Sequence, residues 1–182
     1  AAELGVDPRL AVLAFPGGAL DMIDGWFAAI DQAMIAAWPA EKVAALKIRE
    51  RIQALVETRI DALAEQREAL RRALAILALP TNAARAARLG WRAADAIWRL
   101  AGDTATDFNH YSKRTMLLGI YAATMLLLVD DESEGQAETR AFLARRIGDV
   151  MRIEKAKARM SARAERRPSL ARLIGRIRYP AA

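Results

Sequence analysis

Cysteine is absent from the chain, and histidine occurs once, at position 110. The first absence removes any disulfide framework, thiolate zinc site or cysteine nucleophile. The second rules out a two-histidine metal site, including the paired Glu-x-x-His arrangement of di-iron bundles. A serine–histidine–acid triad could draw only on His110. These shortages argue against a stand-alone enzyme, and no catalytic residue, metal or cofactor is expected. Aromatics are scarce at 6%. Strand signals are nearly missing, since no stretch sustains a period-2 alternation. The strongest apolar run, Thr115 to Val129, is 15 residues long. That falls short of the roughly 20 residues needed to span a bilayer, so it reads as a buried helix. Ala1-Ala2-Glu3-Leu4-Gly5 has neither a basic n-region nor a long apolar run, and no signal peptide is expected there.

What the chain does hold is alanine, leucine, arginine and glutamate in quantity, all good helix formers. Hydrophobic residues make up 54% of its 182 positions, far too many for a disordered chain. The length suits one domain. The net charge of +6 is unevenly spread. Residues 1–144 hold 16 Lys+Arg against 19 Asp+Glu, while residues 145–182 hold 12 against 3. A mildly acidic body thus leads into a strongly basic end, a pattern that suits contact with an anionic surface.

Periodicity divides the chain into helices. Pro8 opens a short one through Phe15, and Pro16-Gly17-Gly18 breaks it. Ala19 to Ala37 follows, with Met22, Ile23, Trp26, Phe27, Ile30 and Met34 at helical spacing, ended by Trp38-Pro39. A long helix is expected from Glu41, carrying Ile48, Ile52, Leu55, Val56, Ile60 and Leu63 on one side. The pattern resets at Glu65-Gln66, runs to Leu79, and restarts after Pro80-Thr81-Asn82 to reach Leu100. Asp107 to Val129 and Gln136 to Ser161 complete the body, and Pro168 opens a last element over Ser169 to Arg178. The domain reading is residues 1–38 as a helix-turn-helix remnant with its connecting helix, 39–161 as a helical domain to which the features below assign lipid binding and, through a family resemblance, dimerisation, and 162–182 as a basic linker and amphipathic helix.

Three segments invite function. The opening order of short helix, turn at Gly5-Val6-Asp7, second short helix and Pro-Gly-Gly resembles the latter part of the helix-turn-helix of tetracycline-repressor-type regulators. Pro8-Arg9-Leu10-Ala11-Val12-Leu13-Ala14-Phe15 would then be the recognition helix. Arg9 is its only charge, too little for base and phosphate contacts, so no nucleic-acid partner is expected. At the other end, Leu170, Leu173, Ile174 and Ile177 form an apolar stripe with Arg172 and Arg176 opposite. A short basic amphipathic helix of this kind is what an interfacial contact with an anionic membrane requires. Between them, Asp107, His110, Tyr111 and Arg114 share one helical face, an exposed patch for a partner. Leu74, Leu77, Trp91, Trp98, Met116, Leu117, Ile120, Tyr121 and Met125 oversupply the interior with large or flexible apolar groups. They are expected to line a lipid cavity between the helix of Trp91 and that of Met116–Met125.

The run from Ala101 through Thr106-Asp107-Phe108-Asn109 to Arg114, continuing to Gly119-Ile120-Tyr121-Ala122-Ala123-Thr124, resembles the signature of a ubiquinone-biosynthesis accessory family, the ninth in the usual series of coenzyme Q biosynthesis proteins. Thr139 to Met151 and Arg72 to Pro80 match it as well. The resemblance implies an all-α, tetracycline-repressor-like fold, here with a truncated helix-turn-helix and a C-terminal amphipathic helix, assembled as a homodimer. It implies a non-catalytic protein that binds isoprenoid quinone intermediates and presents them to the di-iron demethoxyubiquinone hydroxylase at the membrane. The partner-binding patch carried over is Ile97, Asp107, His110, Tyr111 and Arg114, where mitochondrial members usually have tryptophan at the place of His110. The expected location is the bacterial cytoplasm, peripheral to the inner membrane. A lipid-sensing regulator of the tetracycline-repressor type is the alternative.

Overall fold

The computed structural model describes residue 5, residues 7–106 and residues 108–165. Asp107 and the helix read over Ser169 to Arg178, with Leu170, Arg172, Leu173, Ile174, Arg176 and Ile177, therefore lie outside the described residues. Helices joined by short turns make up those described, with no strand among them. The elements are α1 (Pro8–Ala14), α2 (Ala19–Ala37), α3 (Ala40–Ala44), α4 (Ile48–Ala64), α5 (Arg67–Leu77), α6 (Ala83–Leu100), α7 (Phe108–Asp130) and α8 (Ala137–Glu165). Two compact units divide the chain, residues 1–146 and 147–182. In the second, Asp149 and Arg152 on α8 form an ion pair.

In the first unit α7 is the central element, packed against α4, α5 and α6, and α2 closes on α4 and α6. Each helix buries one stripe. On α2 the stripe is Ile23, Phe27, Ile30, Asp31 and Met34. On α4 it is Ile52, Leu55, Val56, Arg59, Ile60 and Leu63. Both follow the i, i+3, i+4, i+7 rule. Fully burying an aliphatic side chain contributes about 1.5–3 kcal/mol, so these stripes dominate the fold's stability. At 23 residues α7 is long and apolar enough to cross a membrane, yet Leu117, Tyr121, Thr124, Met125 and Leu128 are buried against neighbouring helices.

The single helix expected from Glu41 is two. It breaks between Ala44 and Ile48 because Arg51 reaches back to the free carbonyls at the end of α3. Its guanidinium donates to Leu46 O at 2.8 Å and Ala44 O at 3.2 Å, and to Ala101 O at 2.9 Å. The end of α7 is held the same way from α5, where Arg71 donates to Val129 O at 3.0 Å and pairs with Asp130 at 2.8 Å. Cations at helix C-termini satisfy orphan carbonyls and complement the macrodipole.

Two glycines position α6 against α7. Gly102 sits at φ +91°. Its N–H donates to Arg99 O at 3.0 Å, and that of Asp103 to Trp98 O at 2.9 Å. This is the doubly bonded glycine stop of a helix, and it reverses the chain into α7. Gly90 makes room for the Leu118 side chain of α7, since a Cβ there would stand 3.1 Å from Leu118 Cγ.

Candidate functional site

An apolar cavity of about 240 Å³ lies between α2, α5, α6 and α7. Leu74, Leu77 and Ala78 form its α5 side, and Ala86, Leu89, Gly90 and Ala93 its α6 side. Tyr121, Ala122, Met125 and Leu126 come from α7 and Phe27 from α2. The volume is just under the roughly 300–1,000 Å³ of drug-sized ligand pockets, so it suits a stretch of chain. Ala78, Ala122 and Leu126 are exposed and mark the mouth, whereas Phe27, Ala93, Tyr121 and Met125 are buried and form the floor. Small α6 residues leave the space: alanine and glycine at 86, 90 and 93 face long side chains opposite.

Of the residues expected to hold lipid, Leu74, Leu77, Tyr121 and Met125 line this cavity. Trp91, Trp98, Met116, Leu117 and Ile120 do not. Leu117 is buried elsewhere in the core. Trp98 donates from its indole nitrogen to Lys113 O at 3.2 Å, and Trp91 faces His110 and Tyr111 with ring centroids 6.3 and 6.2 Å away. Sequence reading missed Phe27 and the small residues of α6. An amphipathic pattern marks which side of a helix is apolar, but not where small side chains leave a gap.

Tyr121 is the only polar side chain of the lining, and it ends a chain of charges. Asp21, Asp24 and Asp31 on α2 interleave with Arg85 and Arg92 on α6 and Arg59 on α4. Arg85 pairs with Asp21 at 2.6 Å and Asp24 at 3.2 Å. Arg92 pairs with Asp24 and, at 3.1 Å, with Asp31. Arg59, fully buried, pairs with Asp31 and donates from Nε to the Tyr121 hydroxyl at 3.0 Å. Three carboxylates and three guanidiniums alternate, so the chain is neutral overall. Burial raises the Tyr121 pKa above its ordinary value despite the opposing Arg59 charge, keeping the phenol protonated. Burial acts to lower the Arg59 pKa, but Tyr121 and Asp31 outweigh it, and the net direction is upward.

The expected partner patch divides. Arg114 is buried at 2% exposure, donating from Nε to Asp95 at 2.6 Å and from Nη1 to Asp103 at 3.0 Å. Lys113 joins Asp103 at 2.8 Å. Burial alone would raise both carboxyl pKa values, but the bonds from Arg114 with Arg99 on Asp95, and from Lys113 with Arg114 on Asp103, hold them below the usual range. Ile97 is wholly buried, so neither it nor Arg114 is open to a partner. Tyr111 is 60% exposed and Phe108 80%. His110 stacks edge-on to Tyr111 at 5.0 Å, so the surface of this region is aromatic. Among the described residues no cluster of histidine and acidic side chains could hold a metal ion.

Residues 83–154 match the COQ9 family model, which takes in all of α6 and α7. Over 98 residues, 54% of this chain, it is 42% identical to the mitochondrial ubiquinone biosynthesis protein COQ9 of Rattus norvegicus and 41% identical to that of Homo sapiens. In each case the match covers 31% of the relative, so the chain spans about a third of the length of the curated proteins it matches. The matched relatives are named ubiquinone biosynthesis proteins. The fold resembles the TetR transcriptional regulator from Nitrosomonas europaea, with TM-score 0.67, 27% identity and 81% of each chain covered. The all-α, tetracycline-repressor-like class stands. The expected bacterial cytoplasm does not, because the curated relatives are named as mitochondrial proteins.

Proposed function

We propose that this chain is a non-catalytic, lipid-binding accessory protein of ubiquinone biosynthesis. It holds an isoprenoid quinone intermediate by part of its tail and presents it to the di-iron demethoxyubiquinone hydroxylase at the membrane, as a homodimer. The observation that carries the reading is the apolar cavity, whose α6 and α7 walls fall within the segment that matches the COQ9 family. The amphipathic helix read at residues 169–178 supplies the membrane contact, and the Trp91, His110 and Tyr111 surface is where the hydroxylase docks. Deleting the gene and profiling quinones tests the role. Accumulation of demethoxyubiquinone or a related hydroxylation intermediate is expected, and an unchanged profile refutes it. Native mass spectrometry of the purified protein should find a co-purified lipid, and liposome co-sedimentation should be lost with residues 169–178.

The likeness to a TetR regulator favours a second reading, a lipid-sensing transcriptional regulator. Its chemistry is poor. α1 exposes Leu10, Val12 and Leu13, and its one charge, Arg9, is already paired with Asp7 at 3.3 Å. A gel-shift with genomic DNA separates the two readings, with no shift expected.

A further inference from the structure

The cavity opens where its lining is exposed, at Ala78, Ala122 and Leu126, and closes on Phe27, Ala93, Tyr121 and Met125, each 7% exposed or less. α2 contributes a single residue to the lining, Phe27. The stretch of α2 that carries it is pinned on both sides. Asp24 lies three residues before Phe27 and Asp31 four after, so the three share one stripe of the helix. Arg92 of α6 spans them, donating from Nη2 to Asp24 O at 3.0 Å and from Nε to Asp31 at 3.1 Å. Buried Arg59 of α4 holds Asp31 from the other side. Ala93, the residue after Arg92, is the α6 part of the same floor. The aromatic ring at the closed end is therefore backed by helix backbone that charges hold in place.

We propose that Phe27, together with Ala93, is an end stop that limits how much of an apolar chain the cavity holds. The inference rests on the lipid-binding reading above and adds to it the length of tail that is recognised. At roughly 30 Å³ for a methylene, about the share of a water molecule in the liquid, 240 Å³ takes on the order of ten chain carbons. Because the floor is closed, a chain enters by its end. Each methylene that goes in leaves water and tightens binding about fourfold. Once the tip meets Phe27, the next methylene stays at the mouth and adds almost nothing. A longer tail is then held by its tip alone, with its head and the rest of the tail outside, and tails beyond that length are bound alike. Phe27 and Ala93 are thereby specificity-determining residues, acting by contact with the tip of the chain.

The test is displacement of the apolar dye N-phenylnaphthylamine from the purified chain by straight-chain 1-alkanols from hexanol to tetradecanol, with wild type, Phe27→Ala and Ala93→Leu. In wild type the affinity should climb about fourfold per carbon and level off at on the order of ten carbons. Phe27→Ala leaves space at the floor, so the break should move about three carbons longer. Ala93→Leu fills space there, and the break should move about three carbons shorter. Lost stability lowers every affinity together and leaves the break where it is, so a merely structural effect is told apart. If Phe27→Ala does not fold, Ala93→Leu decides alone. Affinity that keeps climbing through tetradecanol in wild type overturns the end stop while leaving the lipid-binding reading intact. A break that stays in place in either folded variant overturns its assignment to this floor. If the dye does not bind, or no alkanol displaces it, both readings fall.

Discussion

Replacing Arg59 with methionine probes the charge chain at its most buried link. The wild-type side chain makes a fully buried ion pair with Asp31 and a 3.0 Å bond to Tyr121. Truncating one member of a buried pair costs about 3–5 kcal/mol, because the partner charge stays behind. Two features reduce that figure: Asp31 keeps Arg92, and the orphaned Nη2 disappears with the arginine. The expected loss is therefore about 2–4 kcal/mol. At about 2–4 °C per kcal/mol for a domain of this size, the melting temperature should fall by roughly 4–16 °C. Arg92→Met is the control. That side chain is 39% exposed, and solvent screening should hold its loss to about 1 kcal/mol. Urea unfolding followed by circular dichroism gives both values. Asp31→Asn combined with Arg59→Met should cost less than the sum of the single changes, since neither then strands a charge. If Arg59→Met costs no more than Arg92→Met, burial does not grade this chain of pairs and the argument fails.

Three further outcomes follow from the geometry. Asp131 is buried and accepts from Ser133 N at 2.9 Å and Thr139 N at 2.8 Å, bonds that outweigh burial and hold its carboxyl well below the usual range. Its folded pKa being depressed, its stabilisation is full above about pH 5 and lost as pH falls below about 4. Asp131→Asn should thus cost about 1–3 kcal/mol at neutral pH, with the gap to wild type closing in acid melts. Gly102→Ala forces a side chain onto φ +91°, so urea unfolding should show a loss of about 1–2 kcal/mol. Ala86→Phe grows into the cavity between α5 and α6. It should weaken binding of the apolar dye N-phenylnaphthylamine at least about fivefold while changing stability by under about 1.5 kcal/mol, because the ring fills existing space.

The helices were legible because their stripes repeat with the right period. Ala19–Ala37 was read to the residue, while α7 shifted by one at each end. The break between α3 and α4 was not legible, since it depends on Arg51 meeting carbonyls folded back against it. The site was legible by half. Leu74, Leu77, Tyr121 and Met125 were named as large apolar groups, but a cavity also needs absences, which here are alanines and a glycine on α6. The buried charges had a signal that could have been used. Arg59 falls seven residues after Ile52 and three after Val56, within the apolar register of α4, and Asp31 falls four after Phe27 on α2. A charge inside an apolar stripe implies a partner across the interface. Arg114 misled because a polar face at the start of a helix looks the same whether solvent or two aspartates satisfy it.

One helix also acts as a measuring rod. Tyr111 on the outer aromatic surface and Tyr121 at the cavity floor are ten residues apart on α7. At about 1.5 Å of rise per residue they are separated by about 15 Å along the axis, with no hinge or proline between them. Anything bound at the outer surface and an apolar chain seated in the cavity would stand at that fixed spacing. Any transfer between two such points would need either a ligand that slides toward the mouth or a movement of α7 against α6, whose packing at Leu118 leaves little room beside Gly90.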